Sequence, residues 1–126
     1  MTRVLLAGDG GQSSTFVIVT SLDGEVLGWA RGAAVHNFYR EGGRERCHAA
    51  ISEVLSVAME RADLLSDYKD GRLNIEAAAF GMSGGGRAMG EAIAEVVTTR
   101  HLRVVPDQTT SFLASTGGLP GIVTIG

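Results

Sequence analysis

Two short apolar runs, Val4-Leu5-Leu6-Ala7 and Phe16-Val17-Ile18-Val19, stand on either side of Gly8-Asp9-Gly10-Gly11-Gln12-Ser13-Ser14. Short aliphatic runs bounded by Gly, Asp and Ser read as strands, and the segment between them reads as a turn. A second turn signal follows at once. Asp23-Gly24 lies between apolar residues, and that pair accepts the positive φ of a tight hairpin. The chain therefore opens as an antiparallel meander, with strands expected over Arg3–Gly8, Thr15–Ser21 and Glu25–Ala30.

The pattern then changes period. After the polar loop "RGAAVHNFYREGG", Ile51, Val54, Leu55, Ala58, Ala62 and Leu65 recur at helical spacing, which predicts a helix over Arg44–Leu65. "SDYKDGR" reads as a polar loop and "LNIEAAAFGM" as a buried strand ending at Ser83-Gly84-Gly85-Gly86. A second helix is expected over Ala88–Arg100, with Met89, Ile93 and Val96 on its apolar side. "LRVVPD" reads as a short strand, Thr109–Ser115 as a third helix and "GIVTIG" as the start of another strand. The order β-β-β-α-β-α-β-α-β predicts an α/β fold with a mixed sheet, three antiparallel strands followed by parallel ones. The last strand has no helix after it to cover it, so the chain reads as the N-terminal piece of a longer protein.

Composition narrows the function classes. A chain of 126 residues is one domain or part of one, and folding buries roughly two-thirds of its unfolded surface. Glycine accounts for 18 residues, about twice its usual share of ~7%, which points to tight turns and close backbone approaches. A net charge of −3 gives no reason to expect a nucleic-acid partner. No apolar run approaches the ~20 residues of a membrane span, and no signal-peptide pattern opens the chain. The single cysteine, Cys47, has no internal partner, so a reducing cytoplasm is expected.

The glycine turn carries the first chemistry. It is not a P-loop, because the chain has no Gly-Lys pair. Gly8-Asp9-Gly10 begins like a dinucleotide fingerprint, but Ser13 takes the third glycine position and a strand, not a helix, follows. What remains is a strand, an Asp, a glycine turn rich in hydroxyls and a returning strand. Such a turn can aim backbone N–H groups at phosphate oxygens, and Gly10 and Gly11 permit close approach. Asp9 can orient water around Mg²⁺, which prefers oxygen ligands. An ordinary hairpin turn, with Asp9 bonding the loop backbone, explains the stretch equally well.

Further segments, taken in order, point one way. The segments "LLAGDGGQSSTFVIVTSLDGEVLG", "GAAVHNF", "AAAFGMSGGGR" and "VVPDQTTSFLASTGGLPGIVTIG" cover nearly the whole chain. Together they resemble the BadF/BadG/BcrA/BcrD-type ATPase family, which includes N-acetylglucosamine kinases, within the sugar kinase, Hsp70 and actin superfamily. The first resembles that family's phosphate hairpin, Asp-Gly-Gly-Gly-Thr-Lys-Thr. The second resembles its sugar-side loop and the third its strand ending in Gly-x-Ala-Gly. The last resembles its Asn-Asp-Ala helix and the entry to a second phosphate loop.

The resemblance implies a ribonuclease H-like, actin-like ATPase domain over residues 1–126, part of a two-domain protein. It implies ATP and Mg²⁺, with phosphate held by Gly10, Gly11, Gln12, Ser13, Ser14 and Thr15 and the metal held by Asp9 through water. It implies a sugar held by Asn37, Ser83, Gly84 and Asp107, with Asp107 as catalytic base. The fragment alone is expected to be inactive, and the reading leaves room for a homodimer without fixing the oligomeric state. The chain departs from the family pattern at Gln12 (usually Gly), Ser14 (usually Lys), Ser83 (usually Ala) and Pro106 (usually Asn), and Ile125-Gly126 stops short of the second loop's Gly-Thr-Gly-Ser.

Each candidate also has a plain structural reading. Asp107 suits a helix N-cap, Asn37 a loop turn, and the Ser83–Gly86 stretch a strand–helix turn. Arg40, Arg44 and Arg46 alternate with Glu41 and Glu45 and read as a solvated face. Trp29 reads as buried packing, with sugar stacking as its other reading, and His36 as a loop histidine. Cys47, His48 and His101 lack metal-ligand spacing. Two rival functions stand beside the kinase. One is an activator ATPase for a reductase or dehydratase, its iron–sulfur cluster held outside this chain; the other is a non-catalytic sensor or binding domain.

Overall fold

The computed structural model describes residues 2–106. Three strands, β1 (Thr2–Gly10), β2 (Thr15–Thr20) and β3 (Val26–Gly32), form the expected meander. Helix α1 (Gly43–Arg61) and a short helix α2 (Leu65–Lys69) follow, then β4 (Leu73–Met82), α3 (Arg87–Ala94) and β5 (Leu102–Pro106). The sheet order is β3-β2-β1-β4-β5. β1–β2 and β2–β3 are antiparallel, whereas β4 runs parallel to β1, and β5 to β4. The mixed sheet is thus as expected across the described residues. The expected helix Thr109–Ser115 and the strand after it lie outside them.

Alternation in the strands and a helical stripe in α1 build the core. Val17 and Val19 of β2, Ala30 of β3 and Phe80 and Met82 of β4 are fully buried. So are Ile51, Leu55, Ala58 and Met59 of α1, and Ala92 and Ile93 of α3. At about 25 cal/mol per Å² of apolar surface removed from water, this layer supplies most of the driving force for folding. Gly28 lets α1 lie close on the sheet. A Cβ there would stand 2.6 Å from the Ala58 carbonyl oxygen and 2.7 Å from the Ala62 nitrogen, both backbone atoms.

Several boundaries differ from the sequence expectation. β1 runs two residues further, so Asp9 and Gly10 belong to the strand. α1 stops at Arg61 because Asp63 takes the left-handed conformation (φ 59°). Leu64 N–H then bonds Met59 O at 2.8 Å and Asp63 N–H bonds Glu60 O at 3.0 Å, which closes the helix as a Schellman motif with Asp in place of the usual Gly. "SDYKDGR" is not all loop, since α2 occupies its first half. α3 ends at Ala94, and it is Val97, not Val96, that is fully buried. Trp29 is a larger correction. Its side chain lies on edge strand β3, 50% exposed, against Phe16 and under the Arg61 guanidinium.

Candidate functional site

The three parallel strands end together. Gly10 of β1, Met82 of β4 and Pro106 of β5 stand in register at one edge of the sheet. The β1–β2 turn, the β3–α1 loop and the β4–α3 turn converge there. Open α/β sheets place ligands at this kind of edge, beyond the carboxyl ends of parallel strands.

The β1–β2 turn is tight. Asp9 pairs with Phe16 and Gly10 with Thr15, leaving residues 11–14 to reverse the chain, tied by Gly11 N–H to Ser14 O at 3.1 Å. The Asp9 side chain is exposed at the strand end. Thr15 is fully buried, and its Oγ1 has no hydrogen-bond partner among the described residues. The turn presses on the β4–α3 segment. Ser83 N–H bonds Gly10 O at 2.8 Å, and a Cβ on Gly11 would stand 2.6 Å from Ser83 Oγ.

The β4–α3 turn is closed by Gly85 N–H to Met82 O at 2.8 Å. Gly84 has φ 69°, the positive value that the third residue of a type II turn requires. Across from it, the β3–α1 loop holds Asn37 at φ 52°, a conformation Asn tolerates better than other side chains. Arg40 N–H bonds Asn37 O at 3.0 Å. The Tyr39 hydroxyl reaches across and donates to Gly84 O at 3.1 Å.

These connections enclose a cleft of about 310 Å³ whose lining includes Gln12, Asn37, Tyr39, Ser83 and Gly84. Four of the residues expected to hold phosphate or sugar thus meet in one hollow, Gln12, Asn37, Ser83 and Gly84, with His36 and Arg40 also on its wall. Gln12, expected among the phosphate ligands, shares the cleft with the sugar-side candidates. Asp9, Gly10, Gly11, Ser13, Ser14 and Thr15 do not line it; they form the hairpin beside it. Asp107 lies outside the described residues.

The arginines are not a uniform solvated face. Arg44 pairs with Glu95, the residue that caps the end of α3, and Arg46 turns back onto loop carbonyls. Tyr39 has no role in the sequence reading, and Arg46 is read there as part of a solvated face. The available signal was Arg46's position in the first turn of a helix, where the macrodipole disfavours a cation that has no other task. Burial pushes the Cys47 thiol above its usual range, against the opposing charge of Arg44, so the thiol stays protonated inside the core. Among the described residues no three His, Cys, Asp or Glu side chains cluster as a metal site, and no helix is long and apolar enough to cross a membrane.

No protein-family model matches the chain, nor does any curated protein sequence. Among solved structures, the chain is similar to "Putative N-acetylglucosamine Kinase from Chromobacterium violaceum", with 24% identity and a TM-score of 0.66. The match covers 95% of this chain and 40% of that one, so the chain spans well under half of that protein's length. At this identity the likeness shows a shared fold.

Proposed function

We propose that this chain is the N-terminal, actin-like half of a two-domain, cytoplasmic, ATP-dependent sugar kinase. The reaction is transfer of the γ-phosphoryl group of Mg-ATP to a hydroxyl of an amino sugar such as N-acetylglucosamine. The observation that carries this reading is the cleft. Gln12, Asn37, Ser83 and Gly84, from three separate connections, line one hollow at the small end of the ~300–1,000 Å³ range of ligand pockets. The fold shared with a protein named as a kinase supports it.

The residues present fit phosphate and Mg²⁺. The close contacts at Gly10 and Gly11 are with the Met82 and Ser83 side chains, so what the turn offers phosphate is the buried Thr15 hydroxyl beside Gly10, without a partner among the described residues. Asp9 offers an exposed carboxylate, the hard oxygen donor Mg²⁺ prefers. When bound, Mg²⁺ supplies charge neutralisation on the phosphates. Backbone N–H groups of the Gly10–Thr15 turn other than that of Gly11, which is spent on Ser14 O, would hold the phosphate oxygens together with the Ser13 and Ser14 hydroxyls, and Asp9 would hold Mg²⁺ through water. Asn37, Ser83, Gly84 and Asp107 hold the sugar. Asp107 takes the proton of the attacking hydroxyl as its oxygen bonds the γ-phosphorus and the bond to ADP breaks. Phosphoryl transfer asks little more of a protein than positioning and charge stabilisation.

The test is turnover by the full-length protein with Mg-ATP and a panel of sugars, read as phosphosugar by mass spectrometry and as ADP release. The expected result is one phosphorylated amino sugar per ADP. ADP release that ignores every sugar would favour the activator ATPase, and sugar binding without turnover would favour the sensor.

A further inference from the structure

Arg46 lies in the first turn of α1, after the N-cap Gly42. Its guanidinium folds back over that helix end and uses all three nitrogens on the preceding loop. Nε donates to His36 O at 3.3 Å, Nη1 to Glu41 O at 2.9 Å and Nη2 to Asn37 O at 2.6 Å. The chain clears a path for it, since a Cβ on Gly42 would stand 3.0 Å from Nη1. Two of the three carbonyls belong to adjacent residues, His36 and Asn37, and the third closes the loop at Glu41. A planar fork can span acceptors spaced in this way, and a single ammonium cannot.

We infer that Arg46 is a positioning residue that fixes the Asn37 backbone and so sets the recognition edge of the cleft. The inference rests on the proposed reading of that cleft as a sugar site. Asn37 is one of two non-glycine residues with positive φ among those described. Asn tolerates that region better than other side chains but still leaves it readily in a free loop, and here neighbouring bonds keep it in place. The Asn37 carbonyl receives two donors, Arg46 Nη2 and Arg40 N–H, and these hold the peptide plane that follows the strained residue. Arg46 also ties the residue before it, through His36 O. With both peptide planes fixed, the direction in which the Asn37 Cα–Cβ bond leaves the loop at the cleft is fixed as well. Tyr39, two residues on, secures the same loop to Gly84 from the opposite side.

The test compares the full-length protein with its Arg46→Lys and Arg46→Met variants. Two readouts are taken: amide hydrogen exchange at Arg40, whose N–H bonds Asn37 O, and steady-state kinetics with N-acetylglucosamine and Mg-ATP. Both variants are expected to speed Arg40 exchange and to raise the sugar KM about tenfold, the scale of losing one charge-assisted hydrogen bond. The ATP KM and kcat are expected to stay within about twofold, since uniform substrate binding is what is lost. Unchanged Arg40 exchange in Arg46→Met overturns the inference, as does full recovery of the sugar KM in Arg46→Lys, which would make charge alone sufficient. If the unaltered protein phosphorylates no sugar, it is the proposed function that fails, and the Arg40 exchange rates still decide whether Arg46 holds Asn37.

Discussion

The interface between α1 and the sheet is built differently from the edge where the three connections meet. At the interface, Val17, Val19 and Ala30 face Ile51, Val54 and Leu55, all apolar and all buried. Side chains do the work there, and Gly28 adds a close backbone approach. At the edge, backbone does most of it. Gly84 and Asn37 hold positive φ, Ser83 N–H bonds Gly10 O, and the Tyr39 hydroxyl and the Arg46 guanidinium both bond carbonyls. The difference teaches that the packing that stabilises the fold and the cleft proposed to bind sugar lie in separate parts of the described residues. A change in one should leave the other largely intact.

That separation can be broken or sharpened by substitution. The largest effect is expected at the interface. Leu55→Ala removes a fully buried side chain and should cost about 2–5 kcal/mol of stability, read by denaturant melts, while turnover per folded molecule survives. Next comes Asp107→Asn in the full-length protein. Asn caps a helix about as well as Asp but cannot take a proton, so kcat should fall at least about 10²-fold with Tm unchanged. Near-normal kcat in that variant would reduce Asp107 to a helix cap.

A smaller effect is expected from Tyr39→Phe, which deletes only the hydroxyl that spans the cleft. Sugar affinity by calorimetry should drop about fivefold, the scale of one neutral hydrogen bond, with little change in Tm. The smallest effect lies far from the cleft. Arg3 bonds Glu76 at 2.7 Å and holds its carboxyl below the usual carboxylate range, against the opposing pull of burial. A lowered folded pKa means that this contribution is present above the unfolded pKa of Glu and is lost as pH falls through the folded value. Glu76→Gln should therefore lower Tm slightly at pH 7, and the gap to the unaltered protein should narrow as pH falls below the unfolded Glu pKa and close below the lowered folded one.

Much of the interface was legible in the sequence, because alternation along β1 to β3 and the stripe through Ile51, Val54, Leu55 and Ala58 are local patterns tied to burial. The end of α1 was not. It depends on Asp63 accepting a left-handed conformation, a role for which sequence favours Gly. α2 is only five residues long, too short for a period to show. Trp29 reads as core by type, yet β3 is an edge strand, and the order of strands in a sheet is not written in any one of them. At the cleft, Asn37, Ser83 and Gly84 were singled out through the family resemblance and Gln12 through the same hairpin motif. Their convergence follows from the parallel pairing of β1 and β4. Tyr39 was not singled out and Arg46 was read as solvated, because their partners are carbonyl groups, which carry no residue identity for a motif to record.

The most direct test of the account is amide chemical-shift mapping of the full-length protein as N-acetylglucosamine is added without nucleotide. The account predicts shifts concentrated at Gln12, Asn37, Ser83 and Gly84, with Trp29 and Arg61 at the far edge of the sheet undisturbed. Saturating sugar that leaves those four amides unmoved, or that shifts the Trp29 edge instead, would contradict it.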